Sequence, residues 1–282
     1  MKILLIGANS SLSSALKPML VEFAEVVTAG RSDCDVHLDL SDPIDEIQIP
    51  TDSDVVINTA AHIGGNSARE MIAAENINIL GTLKLCHACT RSSVNQFVQI
   101  SSIFAELDPT SPFYNIYSLS KKQGDEAAQL YAASYDLPIL IIRPSQLYGV
   151  GEAYRKNQPF LYAMMDRAQH NQDIVIFGSN DALRNFIHVE DVAMAIKRAV
   201  QGGLIGSYAC TYPENMRYSS FASTIISAFN SRSHILFAPE KPDIPDNAFA
   251  FDDALFKAID YFPQISFATG MATEATHRMA MA

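Results

Sequence analysis

A tyrosine stands four residues before a lysine in the stretch YNIYSLSKKQGDEAA, which begins at Tyr114. The flanking residues favour a helix, and positions four apart share one helix face, so Lys121 would place positive charge near the Tyr117 oxygen. A nearby cation favours the phenolate and lowers a tyrosine pKa from its usual value of about 10. A tyrosine in that setting can act as a general acid or base. The pair alone is weak evidence, because both residue types are common on surface helices.

The elements around this pair follow an alternating β-α rhythm through the first half of the chain. The candidate strands are apolar runs rich in Val, Ile and Leu, which is typical of strands buried on both faces. They are Lys2–Ile6, Glu25–Ala29, Val36–Leu38, Val55–Thr59, Gln96–Ile100 and Ile139–Ile142. The candidate helices are Ser11–Phe23, Ala68–Arg91 and Tyr114–Tyr135. The rhythm predicts an α/β fold with a Rossmann-like, doubly wound parallel sheet.

The rhythm loosens after about Gly149, where Pro, Asn and aromatic residues become more frequent and the apolar runs become short and scattered. We therefore predict a sheet domain over residues 1–149 and a smaller C-terminal domain over residues 150–282. A segment near residues 186–205 is expected to return to the first domain.

Composition excludes several classes of function. The chain has 282 residues, of which 48% are hydrophobic, and a net charge of −11. The hydrophobic content excludes a largely disordered chain, and the negative charge argues against nucleic acid as a partner. No apolar run approaches the ~20 residues of a membrane span. The first residues fit a strand better than a signal peptide, so a cytoplasmic location is expected.

A C-x-x-C pattern at Cys86 and Cys89 lies inside a predicted helix. The functional interpretation would be a redox pair or half of a metal site. Because no second cysteine pair accompanies it, we predict that both thiols pack in the helix core. We expect no metal site.

Ligands of doubly wound sheets bind beyond the carboxyl ends of the strands, so the segments after each strand are the candidate site. The first strand is followed by GANSSLSSAL. A dinucleotide-binding loop normally has several glycines here, but serines stand where the later glycines would. Backbone amides at the following helix N-terminus would still attract phosphate. The predicted contacts are Gly7, Asn9, Ser10, Ser11 and Leu12.

The next two strand ends predict contacts with the adenosine half of a dinucleotide. Arg31 follows the second strand, where an acidic residue would suit the ribose of NAD and an arginine suits the 2′-phosphate of NADP. The alternative for Arg31 is a solvated surface arginine. After the third strand, Asp39 would bond the adenine amine and Leu40 would lie against the ring. The alternative for Asp39 is a turn aspartate.

Small and hydroxyl-bearing residues follow the fourth and fifth strands. Ala60 and Ala61 would let a cofactor lie against the backbone, and His62 stands in the same loop. Ser101 and Ser102 follow the fifth strand, where a hydroxyl would bond a substrate oxygen as charge develops on it. The alternative for these serines is to satisfy loose backbone groups.

With these residues in place, the chain resembles the extended short-chain dehydrogenase/reductases, a family of nucleotide-sugar epimerases, dehydratases and reductases. The similarity runs nearly end to end and is carried by LDLSD, DVVINTAAH, NINILGTLKLCHAC, QISS, YSLSKKQGDEAA, IIRPSQLYGVGE, RNFIHVEDVAMAI and YFPQIS. The most specific parts are Y-x-x-x-K at Tyr117–Lys121, RPSQLYG at Arg143–Gly149 and RNFIHVEDVA at Arg184–Ala193.

The resemblance implies roles for individual residues. Tyr117 would be the proton donor or acceptor at the sugar oxygen. Lys121 would bind the nicotinamide ribose and lower the Tyr117 pKa. Ser102 matches the catalytic Ser/Thr of the family and would also contact the substrate.

The resemblance also implies how the two halves of the chain divide the ligands. The first domain would bind the dinucleotide, with Ser101 among its contacts and with Pro144 and Ser145 near its nicotinamide end. The C-terminal domain would hold the nucleotide sugar, with Arg184 at the nucleotide phosphate. A homodimer is expected by analogy.

The resemblance leaves several reactions open. Dehydratases of the family carry an Asp-Glu pair after the catalytic Ser/Thr, whereas Ile103 and Phe104 stand there, and the short loop has no cysteine. We therefore predict a keto-sugar reductase that uses NADP, with NAD as the second candidate cofactor. The alternatives are a 4-epimerase with tightly bound NAD, a non-catalytic cofactor-binding protein, and a reductase of small non-sugar carbonyls. The sequence does not specify the sugar or the nucleotide.

Overall fold

A computed structural model describes residues 1–281 as alternating strands and helices. The strands are β1 (Lys2–Ile6), β2 (Glu25–Gly30), β3 (Val36–His37), β4 (Val55–Asn58), β5 (Gln96–Ile100), β6 (Ile139–Pro144), β7 (Gln146–Tyr148), β8 (Ile174–Phe177), β9 (Leu183–Arg184), β10 (Phe186–His188), β11 (Gly206–Cys210), β12 (Met216–Arg217) and β13 (Ile235–Ala238). The helices are α1 (Ser11–Leu20), α2 (Ala68–Glu75), α3 (Thr82–Arg91), α4 (Ile116–Tyr135), α5 (Pro159–Gln169), α6 (Val189–Gln201), α7 (Tyr218–Ala228), α8 (Ala254–Ala258) and α9 (Phe267–Met281).

The central sheet has seven strands in the order β11-β6-β5-β4-β1-β2-β3. Every neighbouring pair in it is parallel. The inner strands are almost wholly buried, because helices cover the faces of such a sheet. The predicted α/β fold with a doubly wound parallel sheet is confirmed.

The predicted helix over residues 68–91 contains a π-helical segment, Asn76–Gly81, between α2 and α3. Helix α4 passes very close to this segment at Gly124. A Cβ added to Gly124 would lie 2.4 Å from the Asn78 carbonyl oxygen, so only glycine permits this approach. Segments of π-helix occur frequently at functional sites, and this one holds the loop after β4, as shown below.

Replacing Gly124 by Ala should lower the free energy of unfolding by about 1–3 kcal/mol, because the new methyl overlaps a backbone carbonyl. The overlap acts against the ~1 kcal/mol gain in helix propensity. Urea denaturation measures the change. The matched control is Gln123→Ala, at an exposed position of the same helix, which should stay within about 0.5 kcal/mol of the parent. A Gly124→Ala protein as stable as the control would contradict this packing.

The chain divides into two compact units. The first comprises Met1–Pro144, Ala193–Cys210 and Asp253–Tyr261, and it contains the seven-stranded sheet. The second comprises Ser145–Val192, Thr211–Asp252 and the described chain from Phe262 onward. Within residues 1–281, none of the helices has both the length and the apolar character needed to cross a bilayer.

The second unit contains three two-stranded sheets, which pair β7 with β10, β9 with β12, and β8 with β13. Aromatic rings fill its interior. Phe221 lies 5.1 Å from Phe186 and 4.6 Å from Phe267 between ring centroids, and both pairs meet edge to face. Tyr148 lies 5.4 Å from Phe267. Such ring pairs are favoured geometries that add to the burial of large apolar side chains.

Candidate active site

The predicted site residues of the first unit lie in segments that follow parallel strands. Gly7 follows β1, Arg31 follows β2, Ala60 lies two residues beyond β4, and Ser101 follows β5. Pro144 is the last residue of β6. Because parallel strands present their carboxyl ends at one edge of the sheet, these segments share that edge.

The loop after β1 requires its single glycine. Gly7 has a φ of +78°, in the left-handed region that favours glycine. A Cβ there would lie 2.6 Å from the Ala60 nitrogen and 2.8 Å from Thr59 Oγ1. The close approach packs the β1 loop directly against the end of β4.

The serines that replace glycines in this loop bind Thr59. Ser10 Oγ lies 3.0 Å and Ser13 Oγ 2.8 Å from Thr59 Oγ1, which is also within hydrogen-bond distance of the Ile6 carbonyl. Ser10 in addition caps α1 by accepting from the Ser13 amide at 3.1 Å. The Ser13 side chain is fully buried, so it does not obstruct the space in front of the helix N-terminus. The loop therefore fits a dinucleotide phosphate despite its missing glycines.

Polar contacts join the β1 loop to the adenosine end of the predicted site. Asn9 Nδ2 donates to the Ser32 carbonyl at 2.8 Å, which links this loop to the one after β2. Arg31 is exposed. Asp39 accepts from the amide and hydroxyl of Ser41. Burial opposes ionisation of Asp39, but the Ser41 hydrogen bonds and the nearby Arg31 lower its pKa. Arg31 and Asp39 are thus electrostatic neighbours.

The loop after β4 is held in place by Asn78 of the π-helical segment. The His62 amide donates to Asn78 Oδ1 at 2.9 Å, and Asn78 Nδ2 donates to the His62 carbonyl at 2.8 Å. The same Nδ2 donates to Ser120 Oγ on α4 at 2.9 Å. His62 Nδ1 accepts from the Gly64 amide. His62 therefore shapes the loop, while Ala61 beside it is exposed.

Tyr117 and Ser102 form a hydroxyl pair. Ser102 begins a 3-10 turn, Ile103–Glu106, and accepts from the Phe104 amide at 3.2 Å. Tyr117 lies in the first turn of α4, which Asn115 caps by accepting from the Tyr117 amide at 2.9 Å. The Ser102 hydroxyl acts on the Tyr117 phenol and favours a lower pKa for it. The two hydroxyls suit proton transfer to or from a single substrate oxygen.

Lys121 lies one helical turn beyond Tyr117 and is 2% exposed. Its ammonium donates to the Ile100 carbonyl at 2.8 Å. Burial lowers the pKa of Lys121 to about 8, and Asp125 opposes the shift. Burial likewise raises the pKa of Tyr117, with the Ser102 hydrogen bond acting in the opposite direction. The pKa of Tyr117 is therefore raised, where the sequence predicted a lowering by Lys121, because burial and the Asp125 charge outweigh the effect of the Ser102 hydroxyl.

Two buried hydroxyls of the second unit have no hydrogen-bond partner among residues 1–281: those of Ser145 and Thr211. A buried hydroxyl without a partner costs about 1–3 kcal/mol. Ser145 was predicted to contact the nicotinamide end of a cofactor, and its unsatisfied hydroxyl fits a polar ligand group.

Arg184 also belongs to the second unit, where it is 5% exposed. Its Nη1 donates to the carbonyls of Leu183 and Pro245, at 2.7 and 2.8 Å. Its guanidinium lies 4.9 Å from the centroid of the Tyr218 ring. These contacts make Arg184 part of the packing of its own unit, and its predicted contact with a nucleotide phosphate stays a prediction.

Several residues that organise the site are not among the predicted site residues. Thr59 and Asn78 hold the loops after β1 and β4, and neither role is visible without tertiary contacts. Asp125 and Arg143 form a buried ion pair beside Lys121. A signal for Asp125 existed, because it stands four residues after Lys121 and so repeats the spacing from Tyr117 to Lys121.

The names of curated proteins similar to this chain refer to glycan biosynthesis and to sugar-modifying enzymes. The low-salt glycan biosynthesis protein Agl12 of Haloferax volcanii is 28% identical over 236 residues, which cover 78% of this chain and 74% of that protein. The dTDP-4-dehydro-6-deoxy-D-allose reductase of Streptomyces bikiniensis is 24% identical over 151 residues, which cover 53% of this chain and 46% of that protein. The chain thus spans less than half the length of the second relative.

Solved structures support the fold. The UDP-glucose 4-epimerase of Thermotoga maritima with UDP-glucose superposes with a TM-score of 0.78 at 18% identity, covering 100% of both chains. The UDP-glucuronic acid 4-epimerase of Bacillus cereus in complex with UDP-glucuronic acid and NAD gives a TM-score of 0.79 at 19% identity, again over 100% of both chains. Residues 3–218 match the sequence model of the NAD dependent epimerase/dehydratase family, so the chain belongs to that family.

Proposed function

We propose that the protein is an NADPH-dependent reductase of a nucleotide-linked 4-keto sugar, in which Tyr117 gives its proton to the sugar oxygen. The observation that carries this proposal is the placement of Tyr117 one helical turn before the buried Lys121 on α4, with the Ser102 hydroxyl acting on the phenol. A phenol at its ordinary pKa of about 10 is protonated near neutral pH, and burial raises the pKa of Tyr117 further. A protonated phenol is a proton donor, as reduction of a carbonyl requires.

The residues of this chain divide the work around one oxygen atom. Ser102 donates a hydrogen bond to the carbonyl oxygen as negative charge develops on it. Tyr117 then supplies the proton. Lys121 holds positive charge behind the phenol and so stabilises the phenolate that remains. The nicotinamide supplies the hydride when it is bound.

The turn after Ser102 supports reduction over loss of water. Ile103 is 2% exposed and Phe104 is partly buried, and neither side chain can transfer a proton. The first carboxylate of the turn is Glu106, which lies 3.1 Å from the Arg143 guanidinium. Dehydratases of the family use a carboxyl pair directly after the catalytic Ser/Thr, so this turn does not suit that reaction.

The similarity to a dTDP-4-dehydro-6-deoxy-D-allose reductase agrees with this proposal. We assign the dinucleotide to the strand-end segments of the first unit, and the nucleotide sugar to the second unit with Arg184. The homodimer and the cytoplasmic location stay predictions from the sequence.

The test is to incubate the full-length protein with NADPH and a panel of nucleotide-linked 4-keto-6-deoxy sugars, following the absorbance of the reduced nicotinamide. The proposal expects NADPH to be consumed in a 1:1 ratio to the reduced sugar. Interconversion of two nucleotide sugars without added cofactor, with NAD released on denaturation, would identify a 4-epimerase instead. Binding of cofactor without turnover of any sugar in the panel would favour a non-catalytic cofactor-binding protein.

Arg31→Ala should abolish a preference for NADPH over NADH. A charge-assisted hydrogen bond to the 2′-phosphate contributes about 1.5–3 kcal/mol, which is on the order of tenfold or more in affinity. Two nearby acidic groups have hydrogen-bond partners of their own: Thr28 binds Asp35 through its amide at 2.8 Å and its hydroxyl at 2.7 Å, and Ser41 binds Asp39. Titration calorimetry with both cofactors measures the preference.

The matched control for this prediction is Arg91→Ala, which removes an exposed arginine at the end of α3 in the same unit. The control should retain the preference of the parent protein. Equal affinities of the parent protein for NADPH and NADH would reject the role of Arg31.

A further inference from the structure

Three functional groups form a single column on one face of α4. Tyr117, Lys121 and Asp125 are spaced four residues apart, so they follow one another along the helix. Lys121 and Asp125 are each 2% exposed. The helix therefore places a buried carboxylate one turn beyond a buried ammonium, and the proposed function does not yet use that carboxylate.

Arg143 of β6 connects this column to the turn that carries Ser102. Its Nε donates to Asp125 Oδ2 at 2.8 Å, and its Nη1 donates to Glu106 Oε1 at 3.1 Å. Glu106 ends the 3-10 turn that begins after Ser102. One guanidinium therefore bridges the helix that bears Lys121 and the turn that bears the catalytic serine.

The charge of Lys121 depends on the groups that surround it. Its own helix presents Asp125, whose carboxylate acts on Lys121, and Tyr117 one turn before it. Strand β6 presents Arg143, which lies against Asp125. From β5 it receives the neutral Ile100 carbonyl at 2.8 Å, which accepts a hydrogen bond from the ammonium. Glu106 affects the Lys121 charge indirectly, through its ion pair with Arg143.

Asp125 is the group in this set that favours a charged Lys121. Burial lowers the pKa of Lys121 to about 8, and the Asp125 carboxylate acts against that shift. Burial also raises the pKa of Asp125, and the Arg143 guanidinium at 2.8 Å opposes that rise by favouring the carboxylate. Without that carboxylate, the ammonium would be buried with one neutral hydrogen-bond partner.

We propose that Asp125 is a positioning residue that keeps Lys121 protonated, and that Arg143 fixes Asp125 by bridging it to Glu106. Asp125 acts through Lys121 and has no direct contact with the reacting atoms. The proposal rests on the proposed function for its use in catalysis, but the charge of Lys121 can be measured without substrate or cofactor.

The experiment follows the titration of the Lys121 side chain by NMR in the unliganded full-length protein labelled with [ε-13C]lysine. The resonance is assigned by its absence from the Lys121→Met variant. Asp125→Asn should move the titration midpoint down by about one pH unit or more, because an opposite charge nearby shifts a pKa by about 1–3 units. A midpoint unchanged from the parent, in a folded Asp125→Asn protein, would overturn the proposal.

Glu126→Gln is the matched control, since it removes the same charge from the adjacent, exposed position of α4. It should leave the Lys121 titration midpoint unchanged.

A second variant, Glu106→Gln, covers the case in which Asp125→Asn does not fold. Glu106 is exposed, so its replacement should not disturb the fold. Without the Glu106 carboxylate, Arg143 neutralises the Asp125 charge more fully. The titration midpoint of Lys121 should therefore fall by a few tenths of a pH unit. An unchanged or raised midpoint in Glu106→Gln would also overturn the proposal.

The pH profile of turnover separates this inference from the proposed function. Lys121 is charged below its pKa, so a reaction that needs the ammonium loses rate as pH rises through that value. Asp125→Asn should shift this alkaline limb to lower pH by the same amount as the NMR midpoint. If the NMR midpoint of Lys121 shifted but the alkaline limb of the pH–turnover profile did not, the role of Asp125 would be supported. The use of Lys121 in the reaction would then be rejected.

Discussion

Tyr117→Phe is expected to lower turnover by about 10²–10⁴-fold. A loss of that size is the usual contribution of a general acid or base. The change removes the phenol oxygen and keeps the ring, so the packing at the start of α4 is preserved. Cofactor affinity should stay close to that of the parent, because the proton is needed only at the substrate oxygen. Steady-state kinetics on the substrate identified by the NADPH assay gives the rate, and titration of the cofactor gives the affinity.

Tyr114→Phe is the matched control, since it removes a phenol oxygen three residues before Tyr117, outside the helix. It should keep full turnover. If Tyr117→Phe kept full activity on the true substrate, Tyr117 would not be the proton donor. A loss of cofactor affinity as large as the loss of rate would instead indicate a misfolded site.

The sheet was predictable because its strands are buried on both faces. The predicted bounds of β1 and β5 match the structure at both ends. The apolar residues of each strand mark it in the sequence, because strands buried on both faces are rich in such residues. The edge strand β11 was less clear. Its sequence, GSYAC, is buried only at its last two residues and lacks a long apolar run, so the sequence predicts only short, scattered strands in this part of the chain. It joins the sheet through parallel pairing with β6, which spacing along the chain does not reveal.

The candidate site was predictable where local spacing carries the signal. The spacing of Tyr117 and Lys121 on one helix face can be seen in the sequence, and the structure places both on α4. The sign of the Tyr117 pKa shift could not be predicted, because it depends on how deeply the fold buries the phenol. The hydrogen bonds of Ser10 and Ser13 could not be predicted either, because their common partner Thr59 is more than forty residues away along the chain.

Lys121→Met should reduce both turnover and cofactor affinity. Loss of a preorganised charge beside the reacting group costs about 10²–10³-fold in kcat. Loss of the proposed hydrogen bond to the nicotinamide ribose costs about 1.5–3 kcal/mol, or on the order of tenfold or more in affinity. Methionine fills most of the lysine volume, so the packing of α4 should survive. Calorimetric titration with cofactor alone measures the affinity independently of turnover.

Lys122→Met is the matched control, because it makes the same replacement at the next, exposed position of the same helix. It should change neither quantity. Unchanged cofactor affinity in Lys121→Met would reject the ribose contact, even if the rate fell.

The double variant Tyr117→Phe/Lys121→Met tests whether the two residues act as a unit. Lys121 is proposed to raise the rate by stabilising the phenolate left on Tyr117, so its charge has little to act on once the phenol oxygen is gone. The combined loss of turnover should therefore be far smaller than the product of the two single losses, as for residues that share one catalytic task. The affinity loss of Lys121→Met should persist in full in the double variant, because the ribose contact does not involve Tyr117. Losses of turnover that multiply would show that Lys121 stabilises the reaction by a route other than the Tyr117 proton.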